Sequence, residues 1–351
     1  MNPWTSKSAI AMVALAAGLA ALVASSGPAK AEDGPLKVCA TTSDLGDLVR
    51  QIGGDQVSVT VFCKGGEDPH FLEARPSLVK DLSQADLYVQ VGLELEIGWA
   101  PVLLRQARNS AISTGGPGFL DASTAITPLW DFEGQGDRSM GDVHALGNPH
   151  YLLDPICGLK VAMLIRDRLC ALRPRHRPLF ERNFQAFRAK LGEALVGADL
   201  ARRFDVEKLA ELDEHGRLEE FLQRLAREDK LGGWLGLLAP LRGTKVVADH
   251  AMWKYFAKRF HLNVIDHLEP KPGLAPTIRH LGQVVEKMKA GHVRVILSAA
   301  YFPARHAEFV ARKSGARVAA MAHQTQSREG CETYLAMIDR NVRQILAATK
   351  P

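Results

Sequence analysis

The stretch Leu36-Lys37-Val38-Cys39-Ala40-Thr41 is a short apolar run, and it starts the pattern that decides the fold. We predict a strand over residues 36–41, then a helix over 45–52, a strand over 57–63, a helix over 77–84, a strand over 87–91 and a helix over 97–107. Strands that alternate with helices pair in parallel, and the helices cover both faces of the sheet. This part of the chain is therefore predicted to be an α/β lobe with a doubly wound parallel sheet.

The same alternation returns after Thr244. We predict strands over residues 244–248, 262–265, 293–297 and 316–321, with helices over 250–260, 277–290, 304–314 and 332–348. The chain therefore has a second α/β lobe with the same layout, although no residue-level repeat relates the two blocks.

A helical segment separates the two lobes. Asp154-Pro155 opens it, because proline is favoured at the first position of a helix, and the pattern breaks near Pro174 and Pro178. Before it, residues 115–148 are rich in Gly, Ser, Thr and Asp and are predicted to be loops and short pieces. We predict lobes at 32–154 and 241–351, joined at 155–240 by a long connecting helix and an added helical segment.

Residues 1–31 are predicted to be a cleavable signal peptide. Lys7 precedes an apolar run over residues 9–24, and Ala29-Lys30-Ala31 has the small-residue pattern of a cleavage site. A membrane anchor is the alternative, but the run is shorter than the ~20 residues that span a bilayer comfortably. No cysteine stands at the cleavage point, so the sequence does not support lipid attachment there.

Composition excludes several classes of protein. The chain has 351 residues, of which 46% are hydrophobic and 24% charged, and this is typical of a globular protein with about two domains. The net charge of +5 is modest, and the basic residues are scattered, so we expect no nucleic-acid binding.

The cysteines are not expected to bind a metal. None of the five belongs to a Cys-x-x-Cys pair, so thiolate ligation is not expected. Cys39 and Cys63 lie on successive predicted strands and could form a disulfide in an oxidising compartment, or they could be small buried hydrophobic residues.

Three histidines follow predicted strands or precede a helix. His70 comes after the loop that follows the strand over 57–63, His150 stands just before Asp154-Pro155, and His250 directly follows the strand that starts near Thr244. Ligands bind at the carboxyl ends of strands in open α/β sheets, so these side chains are predicted to converge on one cleft. Three neutral imidazoles suit Zn(II), which accepts tetrahedral nitrogen coordination.

The whole mature chain resembles the periplasmic zinc and manganese solute-binding proteins of ABC transporters, in particular a zinc-type branch. The resemblance is carried by these segments: Ala40-Thr41-Thr42-Ser43-Asp44-Leu45-Gly46, Asp68-Pro69-His70, Ala85-Asp86-Leu87, Gly92-Leu93-Glu94-Leu95-Glu96, Gly147-Asn148-Pro149-His150 and Tyr255-Phe256-Ala257-Lys258-Arg259. It implies two α/β lobes joined by a rigid long helix, with the metal between them and with His70, His150 and His250 as ligands. It also implies a periplasmic protein that is not an enzyme and delivers Zn(II) to a membrane permease; we expect it to be a monomer.

The chain departs from the family pattern at two carboxylates. The family often has a glutamate after the strand over 293–297, where this chain has Ala299-Ala300, and an aspartate after the last strand, where it has Met321-Ala322-His323. The fourth ligand is therefore open: His323, a water or a nearby carboxylate could fill the position. Because Mn(II) prefers more oxygen ligands, the loss of both carboxylates favours Zn(II).

His144 lies in a Gly141-Asp142-Val143-His144 loop, six residues before His150. It could pass metal inward, act as an outer partner of the site, or be a solvated loop histidine.

Three alternative functions are compatible with this sequence. A zinc hydrolase could use Glu67 or Asp68 as a general base, but no His-Glu-x-x-His helix occurs. A metal-dependent adhesin or a zinc chaperone would have the same fold.

Overall fold

A computed structural model describes residues 34–130, 144–227, 230–271 and 273–350. The predicted signal peptide at 1–31 and Gly141-Asp142-Val143 lie outside the described residues. In the part of the chain that is described, no helix is long and apolar enough to cross a membrane.

The first sheet has four parallel strands. They are β1 (Leu36–Thr42), β2 (Val57–Cys63), β3 (Leu87–Gln90) and β4 (Phe119–Asp121), in the order β2-β1-β3-β4. Its helices are α1 (Ser43–Gly53), α2 (Pro76–Ser83) and α3 (Ala100–Ala107). The segment 115–148, predicted to be loops and short pieces, contains β4, an edge strand of three residues next to Gly116 and Gly118 that is too short to show a period.

The second sheet repeats this layout. Its strands are β5 (Lys245–Ala248), β6 (Asn263–His267), β7 (Val295–Ser298) and β8 (Arg317–Ala320), all parallel and in the order β6-β5-β7-β8. Its helices are α10 (Lys254–Arg259), α11 (Ile278–Ala290), α12 (Ala304–Ser314) and α13 (Tyr334–Thr349). The predicted helix over 250–260 starts later, because a 3-10 turn at Ala251–Trp253 comes first and leaves His250 in extended backbone. Two doubly wound parallel sheets are therefore confirmed.

Between the two sheets, the described part of the chain has six helices. They are α4 (Pro155–Leu172), α5 (Arg177–Val196), α6 (Ala198–Arg203), α7 (Val206–Glu214), α8 (Leu218–Arg224) and α9 (Gly233–Leu238). Asp154 caps α4, since its side chain accepts a hydrogen bond from the backbone N of Ile156 at 2.8 Å. A 3-10 turn at Pro174–His176 separates α4 from α5, and these two helices pack against each other and against α1. The segment between the sheets is thus a packed pair of helices with four shorter ones, while the predicted domain boundaries stay a prediction.

All five cysteines are free and buried. Cys39 pairs in register with Thr60 and Cys63 with Thr42, so the two cysteines are offset by three residues along β1 and β2. At about 3.3 Å per residue this offset is roughly 10 Å, beyond the ~7 Å that a disulfide can bridge between Cα atoms. Cys39 and Cys63 are therefore small buried residues in the structure and do not form a disulfide.

Candidate metal centre

Three histidines from three different segments meet between the two sheets. His70 lies in the loop after β2, His150 precedes the turn that leads to α4, and His250 follows β5 by two residues. Each offers a ring nitrogen within 4.8 Å of the other two. The centroids of the rings are 5.2 Å apart for His70 and His150, 5.6 Å for His150 and His250, and 5.9 Å for His70 and His250.

The Nδ1 atom of His70 is held by an oxygen close in the sequence. It lies 2.8 Å from Oδ1 of Asp68, which also accepts the backbone N–H of His70 at 2.9 Å. The carbonyl of Pro69, the residue before His70, accepts a hydrogen bond from Nε1 of Trp99 at 3.1 Å. The ring therefore has a fixed orientation, and because a carboxylate only accepts, the proton of neutral His70 is on Nδ1.

His150 has the same arrangement with an amide in place of the carboxylate. Its Nδ1 lies 3.1 Å from Oδ1 of Asn148, whose Nδ2 donates to the carbonyl of Ala251 at 3.0 Å and so fixes which way the amide faces. The buried Nε2 of His150 has no hydrogen-bond partner among the described residues. This nitrogen is the one left for a ligand.

His250 completes the pattern. Its Nδ1 lies 2.7 Å from Oε2 of Glu269, in the loop after β6, the strand beside β5. In all three histidines an oxygen holds Nδ1 and leaves Nε2 for the centre, as in metal sites whose ligating histidines are oriented by outer partners. Glu269 was not predicted from the sequence, because it reaches His250 only through the pairing of β6 with β5.

Burial and charge shift the titration of these groups. Burial lowers the pKa of His150 well below its usual value, and the neighbouring rings of His70 and His250 lower it further. At His250 burial also acts to lower the pKa, but the hydrogen bond and charge of Glu269 outweigh it, so the pKa is raised. The centre therefore contains at least one histidine that is neutral at pH 7 and ready to bind a cation.

His144 lies against His70 but is not one of the three mutually close residues. Its Nε2 is 3.2 Å from Nε2 of His70, and the two rings are stacked with centroids 5.3 Å apart. The next residue, Ala145, donates its backbone N–H to Glu94 at 2.8 Å. His144 is half-buried at the outer side of the group.

His323 is placed differently. Its Nε2 lies 3.1 Å from the carbonyl of Glu67, and no histidine other than His70, His150 and His250 belongs to the close group among the described residues. Burial lowers the pKa of His323 to about 4, so the ring is neutral. It lines a cavity of about 30 Å³ together with His150. The structure thus brings His323 near the centre without joining it to the three nitrogens.

Two further buried carboxylates, Glu96 and Asp249, accept hydrogen bonds from other groups. Glu96 is buried and accepts from Oγ1 of Thr41 at 2.6 Å and from the backbone N of Val91 at 2.7 Å, and its burial raises its pKa to about 7. Asp249 accepts from the backbone N of Ala299, the position where the family often has a carboxylate. These groups support the loops around the centre.

The chain matches a protein family over residues 38–197 and 217–348, and the description of that family is "ZnuA: Zinc-uptake complex component A periplasmic". The protein belongs to this family. Members are metal-binding solute-binding proteins of ABC transporters and not enzymes, which confirms the resemblance and makes the hydrolase alternative wrong.

Individual relatives are distant. The metal ABC transporter substrate-binding lipoprotein SloC of Streptococcus mutans is 24% identical over 322 residues, 90% of each chain. The manganese ABC transporter substrate-binding lipoprotein PsaA of Streptococcus pneumoniae is 30% identical over 167 residues, only 47% of this chain and 50% of PsaA. A crystal structure of ZnuA has a TM-score of 0.66 at 23% identity, covering 90% of this chain and 100% of that one, and it shows the shared fold.

Proposed function

We propose that this protein captures Zn(II) between its two lobes and delivers it to the membrane permease of an ABC transporter. One observation carries the proposal: His70, His150 and His250 each present a ring nitrogen within 4.8 Å of the others. Nitrogen atoms at that separation can share one cation after small shifts, since Zn–N bonds measure about 2.0–2.1 Å.

The charges around the three rings suit a divalent cation. Asp68 and Glu269 each accept a hydrogen bond from a ring nitrogen, and both side chains are largely buried. An imidazole that binds a metal is neutral, so in the loaded centre the two carboxylates would carry −2, which the charge of Zn(II) would neutralise. A cation of lower charge would leave a buried negative charge uncompensated.

We assign the fourth position to His144. Two nitrogens that bind one zinc at tetrahedral angles are roughly 3.3 Å apart, and Nε2 of His144 lies 3.2 Å from Nε2 of His70. Without metal, the N–H of one ring can donate to the other, so zinc would replace a shared proton. We leave His323 outside the ligand set, because its Nε2 is bonded to Glu67 and its ring lies edge-on to Tyr301. Its buried Nδ1 has no hydrogen-bond partner among the described residues, but His323 does not belong to the group whose ring nitrogens lie within 4.8 Å of one another.

Manganese is the alternative cargo, as the printed name of PsaA indicates for that relative. The donor set argues for zinc. Mn(II) favours carboxylate and water oxygens, whereas the two nearest carboxylates here are hydrogen-bonded to ring nitrogens.

Export and delivery complete the proposal. The predicted signal peptide at 1–31 and the family description "periplasmic" support export to the periplasm, where the protein, as a monomer, would meet the permease. SloC and PsaA are described as lipoproteins. A metal-dependent adhesin or zinc chaperone would bind the same ion without needing a permease.

The test is a competition titration of metal-free protein with Zn(II) and Mn(II) against a chromophoric chelator. Zinc should bind at least 100-fold more tightly than manganese, and the His70→Ala, His150→Ala, His250→Ala triple variant should lose this binding while keeping its circular dichroism spectrum. Equal or tighter binding of Mn(II), or an unchanged triple variant, would overturn the proposal.

A further inference from the structure

Three successive residues after β8 connect the second lobe to the first. We call His323–Thr325 the clamp segment. His323 Nε2 lies 3.1 Å from the carbonyl of Glu67, and Gln324 Nε2 donates to the carbonyl of Gly65 at 2.8 Å. Thr325 donates its backbone N–H to Asp44 at the start of α1, at 2.6 Å. Every residue of the segment therefore bonds to the first lobe.

The loop that receives these bonds is the one that carries His70. It is a tight turn, in which the backbone N of Glu67 donates to the carbonyl of Lys64 at 3.1 Å. Gly65 has φ +56°, and a Cβ at this position would lie 3.1 Å from the carbonyl of Gln326. Only a glycine fits comfortably there, so the loop and the residues after β8 are in backbone contact.

We propose that the clamp segment positions His70 for metal binding, with His323 as a positioning residue rather than a ligand. The inference rests on the proposed function, because it assigns His70 to the ligand set. Two carbonyls of the loop, at Gly65 and Glu67, are fixed by side chains of the other lobe. His70 follows within three residues and its own ring is tied to Asp68, so a shift of the loop moves the ligand nitrogen with it.

The clamp segment is itself held rigidly. Asn341 on α13 accepts from the backbone N of Ala322 at 2.7 Å and donates to its carbonyl at 2.8 Å, directly before His323. Oγ of Ser327 donates to the carbonyl of Gln324 at 2.6 Å. A binding site works best when a supporting layer holds its ligands to within about 0.5 Å, and these bonds supply that layer from the second lobe.

A glutamine in place of His323 separates positioning from ligation. The amide N of glutamine can occupy the place of imidazole Nε2 and donate to the carbonyl of Glu67, but it is a poor zinc ligand. We therefore expect His323→Ala to weaken Zn(II) binding about 10-fold, in the lower part of the 10–100-fold range for partners that orient metal ligands. His323→Gln should remain within about 3-fold of the wild type.

A double-mutant cycle shows whether the effect passes through His70. In a His70→Ala background, His323→Ala should have no further effect on Zn(II) affinity, whereas in a His250→Ala background it should again cost about 10-fold. Gln324→Met, which removes the donor to Gly65, replaces His323→Ala in the cycle if the alanine variant does not fold. Thermal unfolding of each metal-free variant separates a loss of stability from a loss of positioning.

Four results overturn the inference. A loss of 100-fold or more in both His323 variants would make this residue a ligand, and no loss in either would leave it without a role. Equal losses from His323→Ala in the wild-type and His70→Ala backgrounds would show that it does not act through His70. If His70→Ala alone keeps wild-type affinity for Zn(II), the proposed ligand set is wrong, and the positioning of His70 is wrong with it. If His70→Ala binds Zn(II) weakly and only the coupling to His323 is missing, the ligand set stands.

Discussion

The loops after β5 and β8 start at the carboxyl ends of two strands of the same parallel sheet. Each loop carries a buried histidine. His250 is 4% exposed and His323 is 7% exposed, so burial does not distinguish them. The difference lies in which nitrogen is occupied. An oxygen holds Nδ1 of His250 and leaves Nε2 for the centre, whereas a carbonyl of the other lobe holds Nε2 of His323.

A strand-end position brings a histidine to the cleft, but it does not decide which of the two ring nitrogens is left without a partner. The partner of the first ring nitrogen decides where the second one points. Glu269 turns His250 towards the group of three, and Glu67 turns His323 into a contact between lobes.

The largest difference between the two loops should appear when each histidine is removed. Structural zinc sites bind with about 10–16 kcal/mol, so one of four ligands contributes about 2.5–4 kcal/mol. We expect His250→Ala to weaken Zn(II) binding by roughly 70- to 900-fold, against the 10-fold expected for His323→Ala. Competition titration measures both, with His292→Ala, a histidine after α11, as the unchanged control. Equal losses at positions 250 and 323 would remove the distinction between the loops.

A smaller effect should follow from changing the partner of His250 while keeping its ring. Glu269→Gln retains an oxygen that can accept from Nδ1 but removes the negative charge, so Zn(II) affinity should fall about 10- to 100-fold. Glu286→Gln on the exposed face of α11 is the matched control and should bind as the wild type does. Wild-type affinity in Glu269→Gln would mean that the charge does not contribute.

The smallest effect concerns pH and the loop after β8. Burial raises the pKa of Asp44, which accepts the N–H of Thr325, to about 7. The folded state therefore keeps a proton that the unfolded chain loses near pH 4, and the contribution of Asp44 to stability is present at low pH and lost as pH rises towards 7. Its slope approaches about 1.4 kcal/mol per pH unit.

Asp44→Asn removes this titration and keeps an oxygen for Thr325. Between pH 5.5 and 7, the free energy of unfolding of the chelator-treated wild type should fall by about 1–2 kcal/mol more than that of Asp44→Asn. Urea denaturation at each pH measures the difference. Parallel pH profiles for the two proteins would show that Asp44 is ionised in the folded state throughout this range.

The sequence predicts local features well and long-range partners poorly. The alternation of apolar runs and helices was enough for both sheets, and strand-end positions were enough for His70 and His250 to be chosen together with His150. The contact between His323 and Glu67 spans 256 positions of the chain, and no local pattern reports it.

Short elements and register were also beyond the sequence. β4 has three residues and no period to detect, and the Cys39–Cys63 alternatives depended on a register that only the pairing of β1 with β2 supplies. The contact of Glu269 with His250 could not be predicted without knowing that β6 lies beside β5.

A crystal structure of the zinc-loaded protein, with anomalous diffraction collected at the zinc edge, tests the central claim most directly. We expect one zinc ion at about 2.0–2.1 Å from Nε2 of His70, His150 and His250, with Nε2 of His323 still on the carbonyl of Glu67. A zinc ion bonded to His323, or located away from the three histidines, would contradict the account.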